Sequence, residues 1–458
     1  IVENCWSTSE VSGYQNDASY MYRRGASYTQ TNCYSLYGTQ ATSISEEQMQ
    51  SGELCFLLNG DQSAINWYQT LSEDSHPVLL PNHSMVYMNG NLACDGVTPL
   101  DDNRSYSNTP GANIAPHTFD CGFCALCHAE DPDFVVEQKD GYWQIGTAEQ
   151  LTWFANKVTN LKQTAANAQL TADIDMAECS DKFPMIGTSS NPYAATFDGQ
   201  FHTISHLKLS RDASNVALFS YAQPGCTIQN LVLDETCSSE GIDYTAGIVS
   251  RFAGSANPIY LLNLGYEGTV TGTGKNSGAI QANSPSGGPI TVMRNCYSTG
   301  KVSGSLECGQ LSGWVGKNAI VENCWSTSEV EGYQNDGSYM YRKSSATQTN
   351  CYSLYGTQAT PITEEQMSSG ELCWLLNGDQ STINWYQTLG EDSHPVLLPT
   401  HSVVTQKDDG TYENATSIQN AKCKMQNANV IYDLSGRRVN GQWSKGVYIV
   451  NGKKVWIE

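Results

Sequence analysis

The chain has 458 residues and a net charge of -22, too long for one ordinary globular core and too acidic to favour nucleic acid or an anionic membrane as partner. With 15% charged residues, 39% hydrophobic residues and 40 glycines, it has a β-rich, extracellular-type composition and not a disordered one. No apolar run approaches the roughly 20 residues of a membrane helix.

Residues 1–86 are a near copy of 320–404. Ile1-Val2-Glu3-Asn4-Cys5-Trp6-Ser7 returns at Ile320 to Ser326, and Trp67-Tyr68-Gln69-Thr70 returns at Trp385 to Thr388. The start therefore reads as the end of an upstream module in a parent that carries solenoids in tandem. Each copy closes through a capping box, Ser45 to Gln48 and Thr363 to Gln366, opening short helices through Leu54 and Leu372. The apolar strands at His76-Pro77-Val78-Leu79-Leu80 and His394-Pro395-Val396-Leu397-Leu398 follow. This segment reads as a plug over the open end of the coil, which would otherwise be an aggregation-prone edge.

Residues 87–137 form a turn-rich connector. Cys124-x-x-Cys127 with a nearby histidine has the spacing of a small zinc knuckle, with Cys94 and His117 as an irregularly spaced second ligand pair and Cys121 and His128 nearby. A local disulfide or a flexible linker are the alternatives.

Residues 138–402 read as a solenoid with caps at both ends. A Thr147 to Gln150 capping box and the stripe Leu151, Phe154, Ala155 and Val158 predict an N-terminal lid helix. Ala168 to Asp175 predicts the first strand, and Phe197-Asp198-Gly199-Gln200-Phe201 a turn between coils. One phrase then recurs: Asn295-Cys296-Tyr297-Ser298, Asn323-Cys324-Trp325-Ser326 and Asn350-Cys351-Tyr352-Ser353. The spacing of about 28 residues suits one coil of a solenoid.

Asn230 and Asn263 fit the same frame, so Asn230, Asn263, Asn295, Asn323 and Asn350 form a predicted ladder. Asparagine tolerates a left-handed bend, and stacked amides can bond from coil to coil. His206 is expected at an equivalent bend. Alternation puts Cys296, Ser298 and Val302 inward, with Tyr297, Thr299 and Lys301 outward, Lys301 beside Glu329. Cys5, Cys296, Cys324 and Cys351, four of the 16 cysteines, then read as buried free thiols. The triplets Gly247-Ile248-Val249, Gly278-Ala279-Ile280 and Gly313-Trp314-Val315 predict a second parallel face. Residues 403–422 read as a polar linker. Residues 423–458 read as a small β-domain, basic at Lys424, Arg437, Arg438, Lys445, Lys453 and Lys454, with Lys422 just before it and a hairpin turn at Asn451-Gly452. The expected class is mainly β: a right-handed parallel β-helix with short capping helices and a small C-terminal β-sandwich.

Ser277-Gly278-Ala279-Ile280 through Asn295 to Gly304 resembles the GLUG repeat of Bacteroidetes-type bacterial surface proteins. Asp140 to Leu151 is similar to the lid of such proteins. Val430-Ile431-Tyr432-Asp433-Leu434-Ser435-Gly436-Arg437-Arg438-Val439 to Val450 resembles a type IX secretion C-terminal sorting domain. These resemblances imply a partner in the type IX export machinery and release outside the cell or attachment to the outer-membrane surface.

Two functions compete. The first is a non-catalytic adhesin or binding protein that uses an outward aromatic ladder, Tyr297, Trp325 and Tyr352, to stack on glycan rings or a host surface; the same ladder could equally serve only to stabilise the sheet. The second is a β-helix polysaccharide lyase or glycoside hydrolase using Asp173, Asp175, Asp181 and Asp198. No His-Glu-x-x-His is present, and Gly272-Thr273-Gly274-Lys275-Asn276 lacks the earlier glycine and the hydroxyl residue of a phosphate loop.

Overall fold

The computed structural model describes residues 1–11, 29–37, 41–254, 257–284, 288, 290–316, 318–331, 340–343, 346–415, 431–433, 446–450 and 453–457. The chain forms two compact units, Ile1–Asp131 and Pro132–Glu458.

The second unit is a parallel β-solenoid. Its first face stacks Asn167–Leu170, Thr196–Ser205, Thr227–Leu233 and Ile259–Tyr266, then the pairs Thr291–Arg294 with Tyr297–Ser298, Ala319–Glu322 with Trp325–Ser326, and Ala346–Thr349 with Tyr352–Ser353. A second face runs from Lys208–Ser210 through Ser238–Gly241, Thr269–Gly272 and Val302–Ser303 to Val330–Glu331. A third runs from Phe219–Ala222 through Val249–Phe252, Gln281–Asn283 and Ser312–Val315 to Tyr341–Lys343.

Identical positions pile into columns inside the coil. Phe197, Ile228, Leu261, Met293 and Val321 are in register and buried. Leu231 and Leu264 give way to Cys296, Cys324 and Cys351, all buried free thiols. Later coils are also polar inside. Ser298, Ser326, Ser328 and Ser353 bond to one another and to buried Gln310, so small hydroxyl side chains fill this part of the interior as a connected network.

All five predicted ladder asparagines are left-handed, with φ of 55°, 54°, 52°, 52° and 53°. Asn263 donates to Asn230 at 2.7 Å, Asn295 to Asn263 at 2.8 Å and Asn350 to Asn323 at 2.9 Å. Each bond contributes about 1 kcal/mol. The ladder is broken once: the buried Oδ1 of Asn295 has no partner. It begins on Asp198, whose carboxylate accepts from Asn230 at 2.9 Å.

Several expectations are corrected here. Phe197 to Phe201 lies within the continuous strand Thr196–Ser205, as a bulge in which Asp198 pairs Gln229 and His202 pairs Leu231. Gln200 and Phe201 absorb it at φ 51° and 65°. His206 has φ 53° but lies beyond the asparagine column, with its Nδ1 on Asp175. Gly309, not Gly313, stands opposite Gly278. The register puts Lys301 opposite Glu329 as expected, but its ammonium pairs with Glu331, two residues further along the same strand face. Within 403–422, expected as linker, Val404–Gln406 and Tyr412–Asn414 form a hairpin whose Val404 is fully buried.

Both caps share one construction. In the first, Ser45 opens α1 (Glu46–Gln50) with a full capping box, and Gly52 at φ 93° separates it from α2 (Glu53–Leu58). The lid helix α3 (Ala148–Thr159) buries the predicted stripe, capped by Thr147. In the second cap, Thr363 opens α4 (Glu364–Ser368), and Gly370 at φ 90° precedes α5 (Glu371–Leu376). The left-handed φ breaks the helix at each glycine, and a Cβ there would meet a leucine and a valine at 2.8 and 2.9 Å, so the position requires glycine. Of the expected C-terminal sandwich, the described part is one antiparallel sheet of Ile431–Asp433, Gly446–Val450 and Lys453–Ile457. The Asn451-Gly452 turn lies outside the described residues.

Candidate binding faces and a candidate metal centre

The expected aromatic ladder exists but does not face solvent. Tyr297 and Trp325 stack with centroids 5.1 Å apart and planes 8° apart. Trp325 is 0% exposed, Tyr297 2% and Tyr352 9%. The second cap lies along the side of the coil over them, where Trp385, Leu372, Leu376 and Leu397 join one apolar cluster that reaches back to Val232. His394 packs against both rings, 6.1 Å from Tyr297 and 5.2 Å from Trp325. These three residues therefore cannot meet a sugar face. The alternation placed them outward correctly; the cap that covers them comes from later in the chain.

Burial raises the Tyr297 hydroxyl far above its usual range, helped by Glu267, to which it donates. Glu267 is in turn raised by burial.

Three of the four carboxylates considered for catalysis are each held by a neighbour. Asp173 holds His202 at 3.0 Å and Asp175 holds His206 at 2.9 Å. Asp198 accepts from Gln229 and Asn230. Among the described residues, the one close group of three or more His, Cys, Asp or Glu donors is elsewhere and includes none of the four.

The third face carries a column of side chains that sequence spacing does not reveal. Tyr221, Arg251, Asn283 and Trp314 stand opposite one another on successive rungs. Tyr221, Arg251 and Trp314 are half-buried. The Arg251 guanidinium lies 4.3 Å from the ring centre of Tyr244 and 5.9 Å from that of Tyr221. Its Nε is buried without a partner. Gly313-Trp314-Val315 was legible only as a strand, since the register that aligns Arg251 with Trp314 depends on coil lengths.

In the first unit the four proposed metal ligands do come together: the donor atoms of Cys94, His117, Cys124 and Cys127 lie within 4.8 Å of one another. A hairpin of Phe119–Asp120 with Phe123–Cys124 turns through Cys121 and Gly122, both left-handed. His128 closes the next turn by donating from its N–H to the Cys124 carbonyl. Cys94 sits in a separate turn held by Asp95, whose carboxylate accepts from Val97 and Thr98. Asn91–Leu92 and Asn113–Ile114 pair to join the two segments. His117 is stacked on Phe119. The Cys127 backbone N–H, with His117, the Leu126 N–H and Cys94, draws the Cys124 thiol well down despite its burial. Contact with Cys124, then burial, pushes Cys94 up. Beside this cluster, Phe56, Ile65, Met85, Val97 and Ile114 line a cleft of about 500 Å³.

No family model matches the chain, and no curated protein is similar to it. A solved structure from Bacteroides ovatus, described as a candidate immunoglobulin A1 protease, is similar at 18% identity with a TM-score of 0.44 over 57% of this chain and 93% of its own.

Proposed function

We propose that this chain belongs to a secreted or cell-surface binding protein that takes acidic carbohydrate along the third solenoid face, without catalysis in this stretch. The observation that carries the reading is the in-register column Tyr221, Arg251, Asn283 and Trp314, with Arg251 laid on Tyr244. A guanidinium held against a ring keeps its fork of N–H donors for a planar carboxylate. Tyr221 and Trp314 supply flat, half-buried surface for sugar rings, while Asn283 between them is buried and only spaces the column. Rungs about 4.8 Å apart give the column the reach of an extended ligand and not of a single small molecule. On a chain of net charge -22, an arginine in such a column favours an anionic partner locally.

The test is a glycan array with uronate- and sialate-bearing members. Arg251→Ala and Trp314→Ala should each weaken binding tenfold or more, while Tyr260→Ala on the first face leaves it unchanged. Equal binding by all three, or binding to no acidic glycan, would remove this function. Delivery to the surface rests on the sequence pattern from 430 to 450. Deleting 423–458 should abolish surface labelling of intact cells, and unchanged labelling would sink the export reading.

A further inference from the structure

We infer that Cys94, His117, Cys124 and Cys127 hold a structural zinc ion that fastens an enlarged hairpin tip of the first cap to the segment 117–127. The Cys94 Sγ lies 3.3 Å from that of Cys124 and 3.6 Å from that of Cys127, and the Cys127 Sγ lies 3.3 Å from His117 Nδ1. A tetrahedral zinc with bonds of about 2.3 Å to sulfur sets sulfur pairs about 3.8 Å apart. These three separations lie within about 0.5 Å of that geometry. A disulfide would use two of the sulfurs and leave the third, and the histidine turned toward it, unexplained. Three thiolates and one imidazole fill all four positions, which marks a structural and not a catalytic site.

Comparison of the two caps shows what the ion does. In the second cap, the strands Val404–Gln406 and Tyr412–Asn414 are joined by a short turn closed from Lys407 to Thr411. Asn414 anchors that hairpin by donating to the Gln387 carbonyl and accepting from the Leu389 N–H. Asn108 makes the same two bonds, to Gln69 and Leu71, in the first cap. There the matching strands Tyr87–Asn89 and Ser105–Ser107 are joined by the longer stretch 90–104, which contains Cys94. The cap thus closes without this insertion in one copy and carries a metal ligand on it in the other. From 109 to 131, the buried apolar side chains among the described residues are Cys121, Phe123 and Cys124, two of them in or beside the cluster. Apolar burial contributes little to ordering this segment, so binding of an ion would add folding free energy where the core adds least.

The test uses the full chain purified under reducing conditions. Elemental analysis should find one zinc per chain that survives dialysis, and cobalt in its place should show thiolate charge-transfer absorption. Cys94→Ser and Cys124→Ser should each lower retained metal at least tenfold, while Cys121→Ser keeps it. His117→Cys should keep one equivalent and shift the cobalt spectrum toward four thiolates, which separates loss of a ligand from loss of folding. Chelation should speed hydrogen exchange over 90–128 and leave 45–58 unchanged. Absence of stoichiometric metal, full retention in Cys94→Ser, or a Cys94–Cys124 disulfide in the isolated protein would overturn the inference.

Discussion

The two caps are nearly the same sequence on different supports. In both, a buried asparagine, Asn59 or Asn377, donates to the carbonyls of Cys55 and Trp67 or Cys373 and Trp385, and accepts from two consecutive N–H groups. Gln69 and Gln387 each reach back to a methionine carbonyl at 2.8 Å. Asp74 and Asp392 each hold a histidine at 2.7 Å. The apolar face differs. Trp325 is sealed between Tyr297, Trp385 and His394, whereas Trp6 meets Trp67 and His76 and stays half-exposed. Trp67 donates from its ring N–H to the Asn4 carbonyl, but the buried ring N–H of Trp385 has no partner. Local hydrogen bonding is thus a property of the cap sequence, while burial depends on the coils beneath it.

The largest test of that division is Trp325→Ala, which should cost the second cap about 3–5 kcal/mol, with Trp6→Ala costing the first less than half as much. Hydrogen exchange at 363–376 and 45–58 in one chain reads both. Equal losses would erase the distinction between supports. Next, Asn377→Ala and Asn59→Ala should cost the same, about 3 kcal/mol each, since each strands the same buried backbone groups. Urea titrations that separate the two by more than about 1 kcal/mol would show that the inner bonds also depend on the coil.

The smallest effect is on pH dependence. Burial opposes ionisation of Asp74, but the Thr70 N–H and His83 outweigh it and hold the carboxyl below its usual range. A depressed value means stabilisation that is complete above the unfolded value near 4 and lost as pH falls through the folded one. Exchange in the first cap should accelerate at that acid edge, and Asp74→Asn should flatten the response. An unchanged acid edge in the variant would remove Asp74 from the account.

Much of this molecule follows from short-range pattern. The strict alternation and the recurring asparagine determined the solenoid, because a period of two and a left-handed bend are local properties of the backbone. Cys94, His117, Cys124 and Cys127 were legible as one cluster because those residue types, close in sequence, have few other uses in common. The capping boxes announced α1 and α4 for the same local reason.

Only the tertiary structure decided which outward residues stay outward. Tyr297, Trp325 and Tyr352 point away from the coil, yet Trp385 and Leu397 return to cover them. Tyr221, Arg251, Asn283 and Trp314 are scattered in sequence, yet unequal coil lengths bring them to one column. Alternation reports the side of a strand on which a residue lies, and it carries no information about a segment that arrives 60 or so residues later to remove that side from water.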